Sequence, residues 1–245
     1  VTDRVFIAMP SYGGQPCAET VMALVNALAE AAAIGQPASL RLRPRDSLLP
    51  RARNLLAQQF LDSGAETLVF WDDDVGCQPG DFARLLQARG DLVAGAYRYR
   101  SDPQNFPILP LAGGWRGDDG LYEVEAVPAG FLKISRAAIE AMVAARPDAW
   151  FHDGEVGRAP ILFENVVEDH QWWGEDFTFC RRARAAGLRV WIDPRVRLTH
   201  TGAKVFVSDF SGWLGRQFAA RATPDDLAAA RARLEAAFAR AETAA

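Results

Sequence analysis

Over the first hundred residues, short apolar runs alternate with longer stretches of helical period, and polar, proline or glycine residues separate them. This alternation constrains the fold more than any other feature. Strands separated by helices return to one sheet side by side and parallel, with helices covering both faces. The runs are Arg4 to Met9, closed by Pro10; Ser39 to Arg43, with Leu40 and Leu42 on one face; Thr67 to Trp71; and Leu92 to Tyr97. Between them, Ala18 to Ala33 places Val21, Leu24, Val25 and Leu28 at helical spacing. A helix is expected from Arg51, behind Pro50, to the stop at Ser63-Gly64, and a shorter one opens at Pro79 and Asp81.

The pattern changes after Arg98. Short strands are expected at Ile108 to Leu111, Leu121 to Val127 and Phe131 to Ile134, then a helix at Arg136 to Ala145. A long irregular stretch runs from Pro147 to Trp173, and Phe151 to His170 within it is the natural lid. Helix and strand return at Gly174 to Ala186 and Leu188 to Ile192. Residues 223–245 read as a terminal helix with a proline near its start and an apolar stripe of Leu227, Leu234 and Phe238. That stripe suits packing on the domain or a homodimer contact.

Composition narrows the classes. The 245 residues are 49% hydrophobic and 24% charged, which excludes wholesale disorder. No apolar run reaches the length of a membrane span, so no transmembrane segment is expected. Cys17, Cys77 and Cys180 have neither zinc spacing nor an even count. With no signal-peptide pattern at Val1-Thr2-Asp3-Arg4, the expectation is a cytoplasmic enzyme. A net charge of −4 disfavours general polyanion binding. Of 27 basic residues, only Lys133 and Lys204 are lysine.

Three features carry chemistry. Asp72-Asp73-Asp74 follows the apolar run ending at Trp71, at the carboxyl end of a parallel strand, where open α/β sheets bind ligands. Adjacent acids repel, so the triplet is either a cation site or a solvated turn. Glu175 and Asp176 open a helix behind Trp172, Trp173 and Gly174. They either balance the helix dipole or supply a general base. His200, just after the strand-like Arg195 to Leu198, is either structural or a metal ligand, and Lys204 nearby suits a diphosphate.

Taken together, strand, Asp-x-Asp, β-rich middle, Gly-Glu-Asp at a helix start, strand and His resemble the nucleotide-sugar glycosyltransferases of the GT-A fold. The likeness is closest to family-2-like enzymes, including ones encoded in phages and prophages. Ala52-Arg53-Asn54 looks like their Ala-Arg-Asn segment. Val127-Pro128-Ala129-Gly130-Phe131-Leu132 looks like their glycine-containing strand. Trp173-Gly174-Glu175-Asp176 is similar to the Trp-Gly-Gly-Glu-Asp run of β-1,4-galactosyltransferases.

The resemblance implies a Rossmann-like, mainly parallel sheet with helices on both faces and a smaller β-rich acceptor half. It implies one domain over residues 1–222, with a nucleotide-binding half to residue 100 and an acceptor half beyond. Asp72, Asp74 and His200 would hold Mn²⁺ or Mg²⁺. Pro10, Ser11, Tyr12, Arg53, Asn54, Asp72, Asp73, Gly130 and Lys204 would bind the nucleotide-sugar donor. Asp176 would be the base, with Glu175 beside it, and Trp172, Trp173 and Gly174 would meet the acceptor. The family usually places an acidic base-reading residue near the first or second strand; here Arg43-Pro44-Arg45-Asp46-Ser47 offers Asp46.

The implied reaction is metal-dependent transfer of a sugar to an acceptor hydroxyl, with inversion. His200-x-Gly202-x-Lys204 also resembles a pattern of retaining GT-A enzymes at other spacing. The acceptor stays open among saccharide, lipid-linked, protein and modified DNA-base classes. For DNA, the run Arg41, Arg43, Arg45, Arg51 and Arg53 offers phosphate contacts, or simply a solvated face. Two alternatives are a sugar-1-phosphate nucleotidyltransferase, disfavoured because Pro10 to Gln15 carries no basic residue, and a non-catalytic sugar-binding protein on the same fold.

Overall fold

The computed structural model describes residues 4–113 and 116–221. The first half runs β1 (Val5–Ser11), α1 (Ala18–Ala33), β2 (Ala38–Pro44), α2 (Leu49–Ser63), β3 (Thr67–Trp71), β4 (Val75–Cys77), α3 (Asp81–Gln87) and β5 (Leu92–Ala96). The second half is richer in strands: β6 (Leu109–Pro110), β7 (Arg116–Asp118), β8 (Leu121–Ala126), β9 (Phe131–Ser135), then α4 (Arg136–Ala145). Two hairpins follow, β10 (Trp150–Asp153) with β11 (Gly157–Pro160), and β12 (Val166–Glu168) with β13 (Gln171–Trp173). The chain continues through α5 (Glu175–Ala185), β14 (Val190–Thr201), β15 (Val205–Val207) and α6 (Phe210–Arg221).

The main sheet has the order β2-β1-β3-β9-β5-β14-β8-β6. β1 is parallel to β2 and β3, and β5 is parallel to β14, so the expected mainly parallel α/β sheet is the one observed. β9 lies antiparallel between β3 and β5. The reversal sets the start of β9 beside the end of β3, with Trp71 opposite Phe131.

Strand alternation divides the core into two layers. Val5, Ile7, Met9, Val69, Trp71 and Val93 face α1 and α3 in one hydrophobic cluster. Phe6 packs edge-on to Phe60 of α2 on the opposite face, and Phe70 meets Phe163, which stacks on Phe179 of α5. Burial on both faces explains why β1 reads as an unbroken apolar run.

Local signals act where expected. Gly64 closes α2 at φ 72°, and the Ala138 amide donates to Ser135 Oγ at the start of α4. α1 departs from its expected stripe. Its sheet-facing side is Thr20, Ala23, Leu24, Ala27 and Ala31, while Val21, Val25 and Leu28 are exposed. Small residues let the helix approach a sheet whose own large side chains already fill the layer.

The stretch expected as a lid folds as two hairpins. Arg51 binds Asp153 at 2.6 Å and Arg43 binds Glu155 at 3.0 Å, tying the first hairpin to α2 and β2. The partners lie a hundred residues apart in sequence, which no local pattern could show.

The chain divides into two compact units, Val1–Ser208 and Asp209–Ala245. The described part of the second is α6, where the Gly212 amide donates to Asp209 Oδ1. The expected helix over 223–245 lies outside the described residues. Among the described residues, no helix is long and apolar enough to cross a membrane.

Candidate functional site

The carboxyl ends of β1, β3 and β5 open on one side of the sheet, and a cleft of about 400 Å³ lies there. Pro10, Ser11 and Tyr12 enter it from the end of β1, the triplet Asp72, Asp73 and Asp74 from β3, and Tyr97 and Arg100 from beyond β5. Arg53 of α2, Glu175 and Asp176 of α5, and His200 of β14 complete the far walls, with Asp46, Ser47 and Leu49 at one end.

β14 brings the distant histidine in. A register shift between Ile192 and Arg197 bends this long strand, with Arg195 held on Asp193 by two bonds of 2.8 Å. Beyond the bend it pairs with β4, setting His200 opposite Val75, and the Thr201 amide donates to the Asp74 carbonyl at 2.8 Å. His200 Nε2 then stands 3.4 Å from Asp74 Oδ2. His200 Nδ1 lies 2.8 Å from the Arg98 carbonyl, which can only accept, so Nδ1 carries the hydrogen. In the neutral ring, Nε2 therefore presents a lone pair to a carboxylate. The same Asp74 oxygen also accepts from Arg100 NH1 at 2.9 Å, so a guanidinium balances its charge beside the imidazole.

Asp72 is committed elsewhere. Arg53 NH2 donates to both its oxygens, at 2.9 and 3.2 Å, and Arg53 NH1 donates to Glu175 at 2.6 Å. Burial works against the Arg53 charge, but Asp72, Glu175 and Asp176 outweigh it and raise its pKa. One buried guanidinium thus ties the end of β3 to the start of α5. Asp73 accepts from Ser11 Oγ at 2.5 Å, and burial pushes its carboxyl up.

Asp176 is the second residue of α5, its Oδ1 accepting from the Phe177 amide at 2.8 Å. Burial raises its pKa to about 6 against the opposing pull of Arg53, and Glu175 and Asp72 add to the rise. Gly130 is buried behind the cleft lining: its carbonyl accepts from the Asp72 amide at 2.9 Å, and its amide donates to Tyr97 Oη at 3.2 Å. A side chain at Gly130 would collide with Asp72 and Tyr97.

The other anticipated residues lie apart. Asn54 faces away from the cleft, its oxygen accepting from the Leu162 and Phe163 amides and its nitrogen donating to the Phe163 carbonyl. Lys204 is exposed and paired to Asp102 at 2.7 Å. Trp172 is exposed on β13, and Trp173 packs under Arg181. Gly174 precedes α5, its carbonyl accepting from the Thr178 amide. Among the described residues, no three ligating side chains gather into a preformed metal cage. Of the anticipated trio, Asp74 and His200 face each other at 3.4 Å, while Arg53 holds Asp72 and Arg100 holds Asp74.

Sequence reasoning missed Tyr97 and Arg100. Their position just past a parallel strand was the available signal. Of the basic run, Arg43 and Arg51 are occupied by Asp46, Asp153 and Glu155, and Arg53 by the cleft acids.

No family model and no curated protein matches the chain. Among solved structures, the chain is similar to A197 from STIV, at 17% identity and a TM-score of 0.51, covering 84% of this chain and 94% of that one. That likeness shows a shared fold. A crystal structure of GalNAc-T7 with UDP, GalNAc and Mn²⁺ aligns at 13% identity and TM-score 0.49, over 80% of this chain and 43% of that one. The catalytic domain of Drosophila β1,4-galactosyltransferase 7 in complex with xylobiose aligns at 16% and 0.45, over 78% and 65%. The chain thus spans less than two thirds of either of these last two.

Proposed function

We propose that the chain is a glycosyltransferase that moves a sugar from a nucleoside-diphosphate sugar to an acceptor hydroxyl, with inversion and with the help of a divalent cation. The observation that carries this reading is the cleft's charge pattern. Asp46, Asp72, Asp73, Asp74, Glu175 and Asp176 line it against only Arg53 and Arg100. Such a cleft repels a diphosphate unless a cation accompanies it.

The facing pair of Asp74 and His200 fits Mn²⁺ or Mg²⁺. These ions are commonly held by few protein ligands, with substrate phosphates and water completing the shell. When bound, the ion would neutralise the charge that grows on the leaving diphosphate. The chain's own residues do the rest. Ser11 and Tyr12 border the donor, and Arg53 fixes Asp72 beneath it. Asp176, with a pKa near 6, is charged at neutral pH yet basic enough to take the acceptor proton as the hydroxyl attacks from the far face. The pleat of β13 places Trp172 outside the cleft, where it is available to stack on a sugar acceptor.

The test is a panel of nucleotide sugars with Mn²⁺, read by donor turnover and thermal shift. A match raises the melting temperature, Asp74→Asn removes the shift, and Asp176→Asn keeps it while losing turnover. Pyrophosphate release from a nucleoside triphosphate would point to nucleotidyl transfer instead. Donor binding without turnover on any acceptor would point to a sugar-binding protein.

A further inference from the structure

Two arginines compensate the β3 triplet, and they are built differently. Arg53 is buried with 2% of its side chain exposed, locked between Asp72 and Glu175. Arg100 has 49% of its side chain exposed, and its NH1 donates to Asp74 Oδ2 at 2.9 Å and to the Thr201 carbonyl at 3.2 Å. That Asp74 oxygen is the one facing His200 Nε2. Gly202 lies under the arginine stem, and a Cβ there would come within 2.8 Å of Arg100 Cδ. The glycine therefore leaves a trough for the stem. Two further cations, Arg98 beyond β5 and Lys204 between β14 and β15, are engaged with Asp102 at 2.7 Å each, and Arg98 also binds the Ser101 carbonyl.

We propose that Arg100 is a displaceable stand-in for the cation. It neutralises Asp74 in the ligand-free protein, yields that oxygen to the divalent ion, and then binds the donor's diphosphate with the freed guanidinium. The inference rests on the reading of Asp74 and His200 as the cation's ligands. The physical basis is competition for one oxygen. A guanidinium and a metal ion at Asp74 Oδ2 repel each other, so binding of one weakens the hold of the other. A half-exposed ion pair is weak enough to give way. The displaced guanidinium lies on a flexible stem at the cleft wall, where bidentate recognition of phosphate oxygens is its strongest use.

The test uses the full chain with Mn²⁺ alone, and with Mn²⁺ plus inorganic pyrophosphate, by calorimetry. Arg100→Gln removes the competitor, so it should bind Mn²⁺ alone about two- to fivefold more tightly than wild type. The same variant should bind Mn²⁺ with pyrophosphate about tenfold more weakly, having lost a charged donor. Arg100→Lys, which keeps the charge, should lie between the two in both measurements. Opposite signs in the two arms are something a merely structural role would not produce. Equal or weaker Mn²⁺ binding by Arg100→Gln overturns the stand-in role while leaving the metal site intact. Tighter Mn²⁺ binding with unchanged pyrophosphate binding overturns the hand-over to the diphosphate. No Mn²⁺ uptake by either protein in either arm overturns the metal reading and this inference with it.

Discussion

Replacing Asp176 with asparagine separates stability from activity. Asp176 is held near pKa 6 in the folded chain, raised from 3.8 chiefly by burial. Asparagine keeps the shape and keeps an oxygen for the Phe177 amide, while removing the charge. Because the folded pKa lies above the unfolded one, the stability linked to this group is fully present below about pH 4. It is lost as pH rises through about 6. Two pH units correspond to about 3 kcal/mol at most, since each unit is about 1.4 kcal/mol. That figure is already net of the attraction of Arg53, and asparagine imitates the neutral acid only in part, so about 1–3 kcal/mol is the working range. In a domain of this size, each kcal/mol moves the melting temperature by roughly 2–4 °C. Melts of wild type and Asp176→Asn from pH 4.5 to 8 should therefore diverge, with the variant gaining roughly 2–12 °C at the upper end. Turnover should vanish in the same variant. Parallel melting curves across that range would refute the claim that folding strains this carboxylate.

Four other variants probe the frame of the cleft and the packing of α1. Arg53→Met leaves Asp72 and Glu175 without their shared partner, and should cost about 3–5 kcal/mol in urea unfolding while moving the acidic limb of the pH–rate profile upward. Asn54→Ala removes three buried bonds to residues 162 and 163 and should cost about 2–4 kcal/mol in the same assay, with nucleotide affinity unchanged. On α1, Val25→Ser should alter stability by no more than about 0.5 kcal/mol. Ala27→Leu, on the sheet side, should cost about 1–3 kcal/mol by overpacking. Similar costs for both would restore the bulky stripe as the buried face.

Much of the cleft was legible because its chemistry is local. The acids after Trp71 and those after Gly174 each stand at an element end that short-range signals mark. The strand-to-helix rhythm also reveals the mainly parallel sheet. The contacts that tune those groups were not legible. Arg53 with Glu175, Arg51 with Asp153 and His200 with Asp74 join residues that only the folded chain brings together.

Periodicity alone thus determined the main strands and helices of the first hundred residues, and therefore that their strand-end side chains share one side of a sheet, but not the hairpins between residues 150 and 173. It could not determine that β9 reverses between β3 and β5, bringing Gly130 against Asp72, because antiparallel and parallel insertion bury the same residues. Nor could it say which face of α1 is inward, since the space left by the sheet, rather than hydrophobicity, selects the alanine side. The partner of each aspartate was likewise decided in three dimensions. A carboxylate's charge is written in the sequence, but whether a guanidinium, a proton or a metal ion balances it depends on what the fold sets within about 3 Å of its oxygens.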